Sequence, residues 1–166
     1  KLYGEALCSQ SGLPVTIIRP HNVYGPRMGF AHVIPQLLER AHRLEENGKL
    51  DVFSVDHTRT FCFVDDAVEL IFRLASSAAA LGQTANVGTQ EPEIRMGDLA
   101  QIILAVVGRS ATIEAQSPTQ GSPARRVPDM TFCNSLTGYK SVTALQEGIE
   151  HCYAWYRSRF TDRARS

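Results

Sequence analysis

The chain reads as an α/β protein. Short β-branched apolar runs recur without polar alternation, segments of helical period lie between them, and glycine or proline stands at most of the joints. Strands buried on both faces with helices in the connections are the arrangement such a pattern predicts.

The elements follow in order. Residues 1–11 read as the end of a helix, closed by Gly12-Leu13-Pro14. Val15-Thr16-Ile17-Ile18 suits a strand of a parallel sheet, followed by a polar loop over residues 21–29. Apolar spacing predicts a helix over residues 33–47, with Gly48 just past its end. Residues 50–55 and 60–64 read as two strands. Asp66-Ala67-Val68-Glu69 has the reciprocal spacing of a capping box and opens a helix to about Ser77. Residues 84–87 form a further strand, and residues 96–107 a helix stopped by Gly108. Three prolines and Gly121 make residues 117–128 a loop. Val142, Leu145, Ile149, Cys152 and Tyr156 recur at helical spacing and predict a C-terminal amphipathic helix.

At 166 residues the chain is long enough for one domain with a real core and short for two. Its 17 basic residues balance 17 acidic ones, so overall charge gives no case for nucleic acid or an anionic membrane. Arg157, Arg159, Arg163 and Arg165 read as a solvated basic tail. The four cysteines, Cys8, Cys62, Cys133 and Cys152, form no C-x-x-C pair and read as buried free thiols, which fits a reducing, cytoplasmic location. No apolar run approaches the ~18 residues of a membrane span. The opening Lys-Leu-Tyr-Gly-Glu, without an initiator Met, reads as the start of a fragment. No G-x-G-x-x-G turn follows any strand, so no dinucleotide-binding fingerprint lies in this stretch.

Three segments carry candidate chemistry. Arg19-Pro20-His21-Asn22-Val23-Tyr24-Gly25-Pro26-Arg27 follows a buried strand, where open α/β sheets bind ligands. Asn22 offers a donor and an acceptor, and Arg19 and Arg27 offer anion contacts. A turn shaped by Pro20, Gly25 and Pro26, with Arg19 paired to a carboxylate, fits the residues equally well. In Thr58-Arg59-Thr60-Phe61-Cys62-Phe63-Val64-Asp65-Asp66, Arg59 could anchor a phosphate through its planar fork, while the two aspartates read as helix caps. Arg125-Arg126-Val127-Pro128-Asp129 suits either a clamp over an anion or a solvated charge pair.

In order, Lys-x-x-Gly-Glu at residues 1–5, Arg-Pro-x-Asn-Val-Tyr-Gly-Pro-Arg at 19–27, Arg-x-Phe-x-x-Val-Asp-Asp at 59–66, Asn-x-Gly at 86–88 and Arg-x-Pro-Asp at 126–129 make a recognisable set. The set resembles the extended short-chain dehydrogenases/reductases of the NAD-dependent epimerase/dehydratase family, which act on nucleotide sugars. The resemblance implies the C-terminal part of a Rossmann-type parallel sheet, interleaved with a small α/β substrate-binding domain, over residues 1–166. The N-terminal cofactor-binding half would lie outside this sequence.

It also implies roles. Lys1 matches the lysine of Tyr-x-x-x-Lys, which binds the nicotinamide ribose and lowers the tyrosine's pKa. An ammonium about 5 Å from a phenol at an effective dielectric of ~20 contributes roughly 3 kcal/mol. Lys1, Pro20 and His21 would meet NAD or NADP. Asn22, His32, Val33, Arg59, Arg126 and Asp129 would hold the diphosphate and ribose of a nucleotide-diphosphate sugar, and the base would lie along Asp51, Val52 and Phe53. The expected reaction passes hydride to NAD and forms a keto-sugar, re-reduced by an epimerase or consumed by a dehydratase or decarboxylase. A homodimer of the full-length parent is also implied. No metal is expected. The turn before Arg59, Ser54-Val55-Asp56-His57, departs from the family's Gly-Asp-Gly pattern and should be shaped differently. A reductase of nucleotide-free carbonyls and a non-catalytic sugar-nucleotide binder are the competing readings. The first leaves Arg59 and Arg126 nothing to hold.

Overall fold

The computed structural model describes residues 1–118 and 120–163, with the backbone alone at 161–163. It begins with helix α1 (Leu2–Gln10), which buries none of its residues and leaves Leu2, Tyr3 and Leu7 exposed. Strand β1 (Ile17–Pro20) follows and pairs in parallel with β6 (Thr84–Val87). Strand β2 (Val23–Tyr24) likewise runs parallel to β5 (Cys62–Phe63).

Helix α2 (Val33–Arg43) buries Ile34, Leu37, Leu38 and Ala41 along one stripe. It stops at Arg43, not at residue 47 as the periodicity suggests. Glu45, Glu46 and Asn47 offer nothing apolar to prolong the stripe, and Asn47 turns the chain with φ 57°. Gly48 is therefore the first residue of strand β3 (Gly48–Phe53), not a helix C′ residue. Strand β3 pairs in parallel with β8 (Ala111–Gln116) over six residues, from Gly48 opposite Ala111 to Phe53 opposite Gln116. A three-stranded sheet carries β4 (Thr58–Arg59) between antiparallel β7 (Ile94–Arg95) and parallel β9 (Arg125–Arg126). The strands expected over residues 50–55 and 60–64 thus lie at 48–53 and, split around Thr60 and Phe61, at 58–59 and 62–63.

Helix α3 (Val64–Ala75) corrects the capping expectation. Phe63 occupies the N-cap without a side-chain bond, and Asp66 lies inside the first turn, 2% exposed. Helix α4 (Met96–Val107) ends as expected on Gly108, left-handed at φ 73°, with the amide of Arg109 bonded back to the Leu104 carbonyl at 3.0 Å. A short helix α5 (Thr131–Thr137) precedes α6 (Leu145–Arg163), which starts after exposed Val142. Of the basic tail, Arg159 lies 3.7 Å above the Trp155 ring. The side chain of Arg163 and the whole of Arg165 lie outside the described residues.

Two apolar cores result. One joins α2, α4 and α6 to β3 around Leu38, Leu50, Leu99, Ile103, Ile149 and Tyr156. The other joins α3 and α5 to β6 around Leu70, Leu74, Val87 and Met130. Cys62, Cys133 and Cys152 are buried thiols, but Cys8 is exposed on α1. Among the described residues no helix is long and apolar enough to cross a membrane.

Gly148 marks the tightest helix contact. A Cβ there would lie 2.1 Å from the phenol oxygen of Tyr24 and 2.8 Å from its Cζ. The Gly148→Ala substitution is expected to destabilise the fold by about 1–3 kcal/mol, overpacking outweighing alanine's better helix propensity. A melting temperature equal to or above the parent's would contradict this packing.

Candidate functional site

The loop after β1 turns sharply at Asn22, which holds φ 41°. Asparagine is among the few side-chain-bearing residues that adopt that region readily, and its surroundings can then hold it there. Here the Asn22 side chain does so, its Nδ2 donating to the Thr60 carbonyl at 2.8 Å. Its Oδ1 accepts from Nη2 of Arg126 at 2.5 Å. One side chain thereby ties the end of β1 to β4–β5 and positions the guanidinium of β9.

Arg59 reaches the same place from β4. It is 7% exposed, and its two Nη atoms donate to the carbonyls of Thr58 (2.6 Å), Ala124 (3.3 Å) and Pro123 (2.6 Å) and to Oγ of Ser122 (2.9 Å). Burial, and then the charge of Arg126, pull its pKa below the usual arginine value, yet a guanidinium remains protonated at neutral pH. Among the described residues neither Arg59 nor Arg126 has a carboxylate partner. The arginines beside them do. Arg125 is bound to Glu93 at 2.8 Å and Arg19 to Glu5 at 2.5 Å, so the Arg125-Arg126 pair is divided between an ion pair and the site.

These side chains face a cavity of about 300 Å³ whose other walls include Val33 and Gln36 of α2 and Val52 and Phe53 of β3. Arg40 of α2 closes that side, with Nη1 on the Asp51 carbonyl at 3.2 Å and its guanidinium 5.6 Å from the centroid of the Phe53 ring. Phe53 is half exposed, and so offers a flat apolar face to the opening. The turn that replaces the glycine-rich pattern is built on Ser54, at φ 55°, with the amide of His57 on the Ser54 carbonyl at 2.8 Å.

Of the residues singled out in the sequence, Asn22, Val33, Val52, Phe53, Arg59 and Arg126 meet at this cavity. Others do not line it. Asp51 accepts from Nε2 of Gln116 at 2.7 Å, and His32 forms the exposed N-cap of α2. Asp129 accepts from the amide of Thr131 at 2.9 Å, which with the Thr131 side chain holds its carboxyl below the usual range. Its carbonyl takes a bond from Asn86, fastening the end of the Arg126 segment to β6. Pro20 and His21 lie at the end of β1, the His21 amide on the Val87 carbonyl. Burial and then the charge of Arg126 lower the His21 pKa, so its imidazole is neutral near pH 7. Lys1 is exposed at the start of α1.

Gln36, Arg40, Phe61 and Ser122 line the cavity without having been anticipated. Residues 33, 36, 37 and 40 recur at helical spacing, a signal that places Gln36 and Arg40 on the Val33 face. Nothing in the sequence points to Ser122, which arrives on a loop.

The profile of the NAD dependent epimerase/dehydratase family matches residues 1–88. The chain belongs to that family. Relatives of this epimerase/dehydratase chain include the uncharacterized UDP-glucose epimerase YtcB of Bacillus subtilis, 29% identical over 96% of the chain and 51% of YtcB. UDP-glucuronic acid decarboxylase 1 of Xenopus tropicalis is 29% identical over 99% of the chain and 39% of its own length. The crystal structure of UDP-glucuronic acid 4-epimerase from Bacillus cereus, in complex with UDP-glucuronic acid and NAD, shares the fold with a TM-score of 0.85. It is 24% identical and covers 96% of this chain and 51% of that one. The chain thus spans about half the length of the relatives it matches.

The family binds NAD(P), but no G-x-G-x-x-G motif occurs in this sequence. Among the described residues, Gly88 just after β6 is closed off, a Cβ there meeting His21 at 3.2 Å and Pro128 at 3.3 Å.

Proposed function

We propose that this chain is the nucleotide-sugar-holding half of an NAD-dependent nucleotide-sugar epimerase that works through a keto-sugar. The observation that carries the reading is the pair of guanidiniums, Arg59 and Arg126, at one cavity without a carboxylate between them. Two guanidiniums beside an amide suit a diphosphate: Arg126 keeps donors enough for paired charge-assisted bonds, while Arg59, whose Nη donors are taken by Thr58, Ser122, Pro123 and Ala124, offers its Nε–H and its charge. Phe53 would lie against the base, Val33 would border the ribose, and Asp129, Asp51 and His32 would act from the rim. Lys1, Pro20 and His21 would border the nicotinamide, with the dinucleotide held by the other half of the protein. Supporting that division, α1 exposes Leu2, Tyr3 and Leu7, an apolar surface suited to further protein such as the cofactor half or a second subunit. Dehydratase and decarboxylase chemistry are the alternatives for the same site, because they share the keto-sugar step.

Calorimetry of the complete gene product with UDP, dTDP and GDP, followed by turnover on the corresponding sugars, tests the reading. Failure of all three to bind would overturn it. Arg126 is exposed and its loss leaves no buried group unpaired, so Arg126→Ala is expected to weaken nucleotide binding about ten-fold with little change in melting temperature. Unchanged affinity would remove Arg126 from the site.

A further inference from the structure

Resting on the reading of Arg126 as a diphosphate contact, we infer that Glu93 is the positioning residue for that contact. It stands outside the cavity and fixes the strand that carries Arg126 against the strand that carries Arg59. Glu93 lies just before β7, and its carboxylate reaches both other strands of the same sheet. Its Oε1 accepts from the Thr58 hydroxyl of β4 and from Nε of Arg125 in β9, the latter at 2.9 Å. Its Oε2 accepts from Nη2 of Arg125 at 2.8 Å, which makes the grip on that guanidinium two-pointed. One side chain thus ties β7, β4 and β9 together.

The register shows what this tie controls. Thr58 lies opposite Arg125 and Arg59 opposite Arg126, so each clamped residue immediately precedes a site arginine. Successive side chains of a strand alternate between faces, which puts Thr58, Arg125 and Glu93 on one face of the sheet and Arg59 and Arg126 on the other. The cavity agrees: Arg59 and Arg126 line it, and Thr58, Glu93 and Arg125 do not. Strand β9 has two residues and lies at the edge of its sheet, so its backbone ladder is short. Asn22 orients the Arg126 guanidinium at 2.5 Å, but only while the strand beneath it stays in place. Exposed ion pairs as a class add little to stability, and bidentate geometry shared with a third group is where they add most. The clamp at Glu93 has that form, and its effect falls on the placement of Arg126.

The test titrates UDP, dTDP and GDP into the complete gene product by calorimetry, and the sign of the effect decides. A carboxylate that acts on an anion site only through space repels the ligand, so its removal would tighten binding. The clamp gives the opposite result: Glu93→Ala should weaken binding roughly five-fold. The double variant Glu93→Ala with Arg125→Ala removes one charge of each sign, keeps the net charge, and should weaken binding by a similar factor. In an Arg126→Ala background, Glu93→Ala should add less than about two-fold, because its effect passes through Arg126. Glu93→Gln keeps a carbonyl acceptor and should recover part of the loss. Both clamped side chains reach solvent, so these variants should fold, and melting curves check it. A Glu93→Ala variant that binds as tightly as the parent protein, or more tightly, overturns the inference. So does a loss of the same size with Arg126 present or replaced. Failure of the cavity reading itself looks different: no nucleotide binds the parent protein, or Arg126→Ala leaves binding unchanged, and the clamp's role falls with it.

Discussion

Replacing Asp66 by alanine is expected to destabilise the fold by about 3 kcal/mol or more, a large fraction of the stability of a domain this size. Its Oδ1 accepts from the Tyr139 hydroxyl at 2.5 Å and the Val142 amide at 3.1 Å, and its Oδ2 from the Thr143 amide at 3.0 Å. One carboxylate in the first turn of α3 therefore fastens the segment that leads into α6. Arg73, 5.0 Å above the Tyr139 ring, closes the same contact from the next turns. Truncation leaves two backbone amides without their acceptor, and a lost acceptor costs more than a contact that was never made. Asp66→Asn preserves shape, but sets an NH₂ against one of the three donors, so it should recover only part of the loss. Chemical denaturation of both variants beside the parent checks the ranking; an alanine variant within about 0.5 kcal/mol of the parent would show the tether to be dispensable.

The same group makes stability depend on acid. Burial pushes the Asp66 carboxyl up, but the bonds from Tyr139, Val142 and Thr143 together outweigh it and hold the carboxyl below its ordinary value. The folded pKa thus lies below the unfolded one, near 3.9. Its contribution is full above about pH 4 and is lost as pH falls through the folded pKa, because the unfolded chain takes up the proton first. The stability gap between the parent and Asp66→Ala should therefore be constant from neutrality down to about pH 5 and shrink below pH 4. A gap that widens in acid would reverse the sign and rule out Asp66 as the cause.

The capping spacing at Asp66 shows what a sequence can and cannot convey. It marks correctly that an acidic residue belongs in the first turn of α3, yet the donors it meets lie at Tyr139, Val142 and Thr143, more than seventy residues on. Local patterns identified the long amphipathic helices and the Gly108 stop, because period and punctuation are local properties. They missed β8, whose Ala-Thr-Ile-Glu-Ala-Gln run is half buried and becomes a strand by pairing with β3, and the two-residue strands β7 and β9, which exist only as neighbours of β4. The site behaved likewise. Asn22, Arg59 and Arg126 could be singled out by type and motif. The fact that gives them chemistry, that Arg125 and Arg19 are neutralised by Glu93 and Glu5 while Arg59 and Arg126 are not, is a property of the folded pairing.

Arg59→Ala is expected to be the most damaging single change for nucleotide binding, lowering affinity roughly a hundred-fold, about 3 kcal/mol. Two effects add. The direct one is loss of a buried cation that already stands in unfavourable surroundings, desolvated and beside Arg126, so that a dianionic ligand gains from relieving both. The indirect one is loss of the bonds to Ser122, Pro123 and Ala124, which hold the loop against the cavity and keep β9, with Arg126, in register beside β4. Arg59→Lys separates the two. An ammonium retains the charge but not the planar fork, and cannot grip three loop oxygens and a phosphate at once, so it should recover well under half of the lost free energy. If charge alone mattered, the lysine variant would bind like the parent protein. Salt offers a second discrimination. Arg126 is exposed and its contribution should fade as ionic strength rises, whereas Arg59 is 7% exposed and should be screened far less. Affinities of the parent, Arg59→Ala and Arg126→Ala measured between low and high salt should therefore converge for the parent and Arg126→Ala, while Arg59→Ala stays weak throughout; a salt slope shared equally by both arginines would place Arg59 at the surface of the site, not within it.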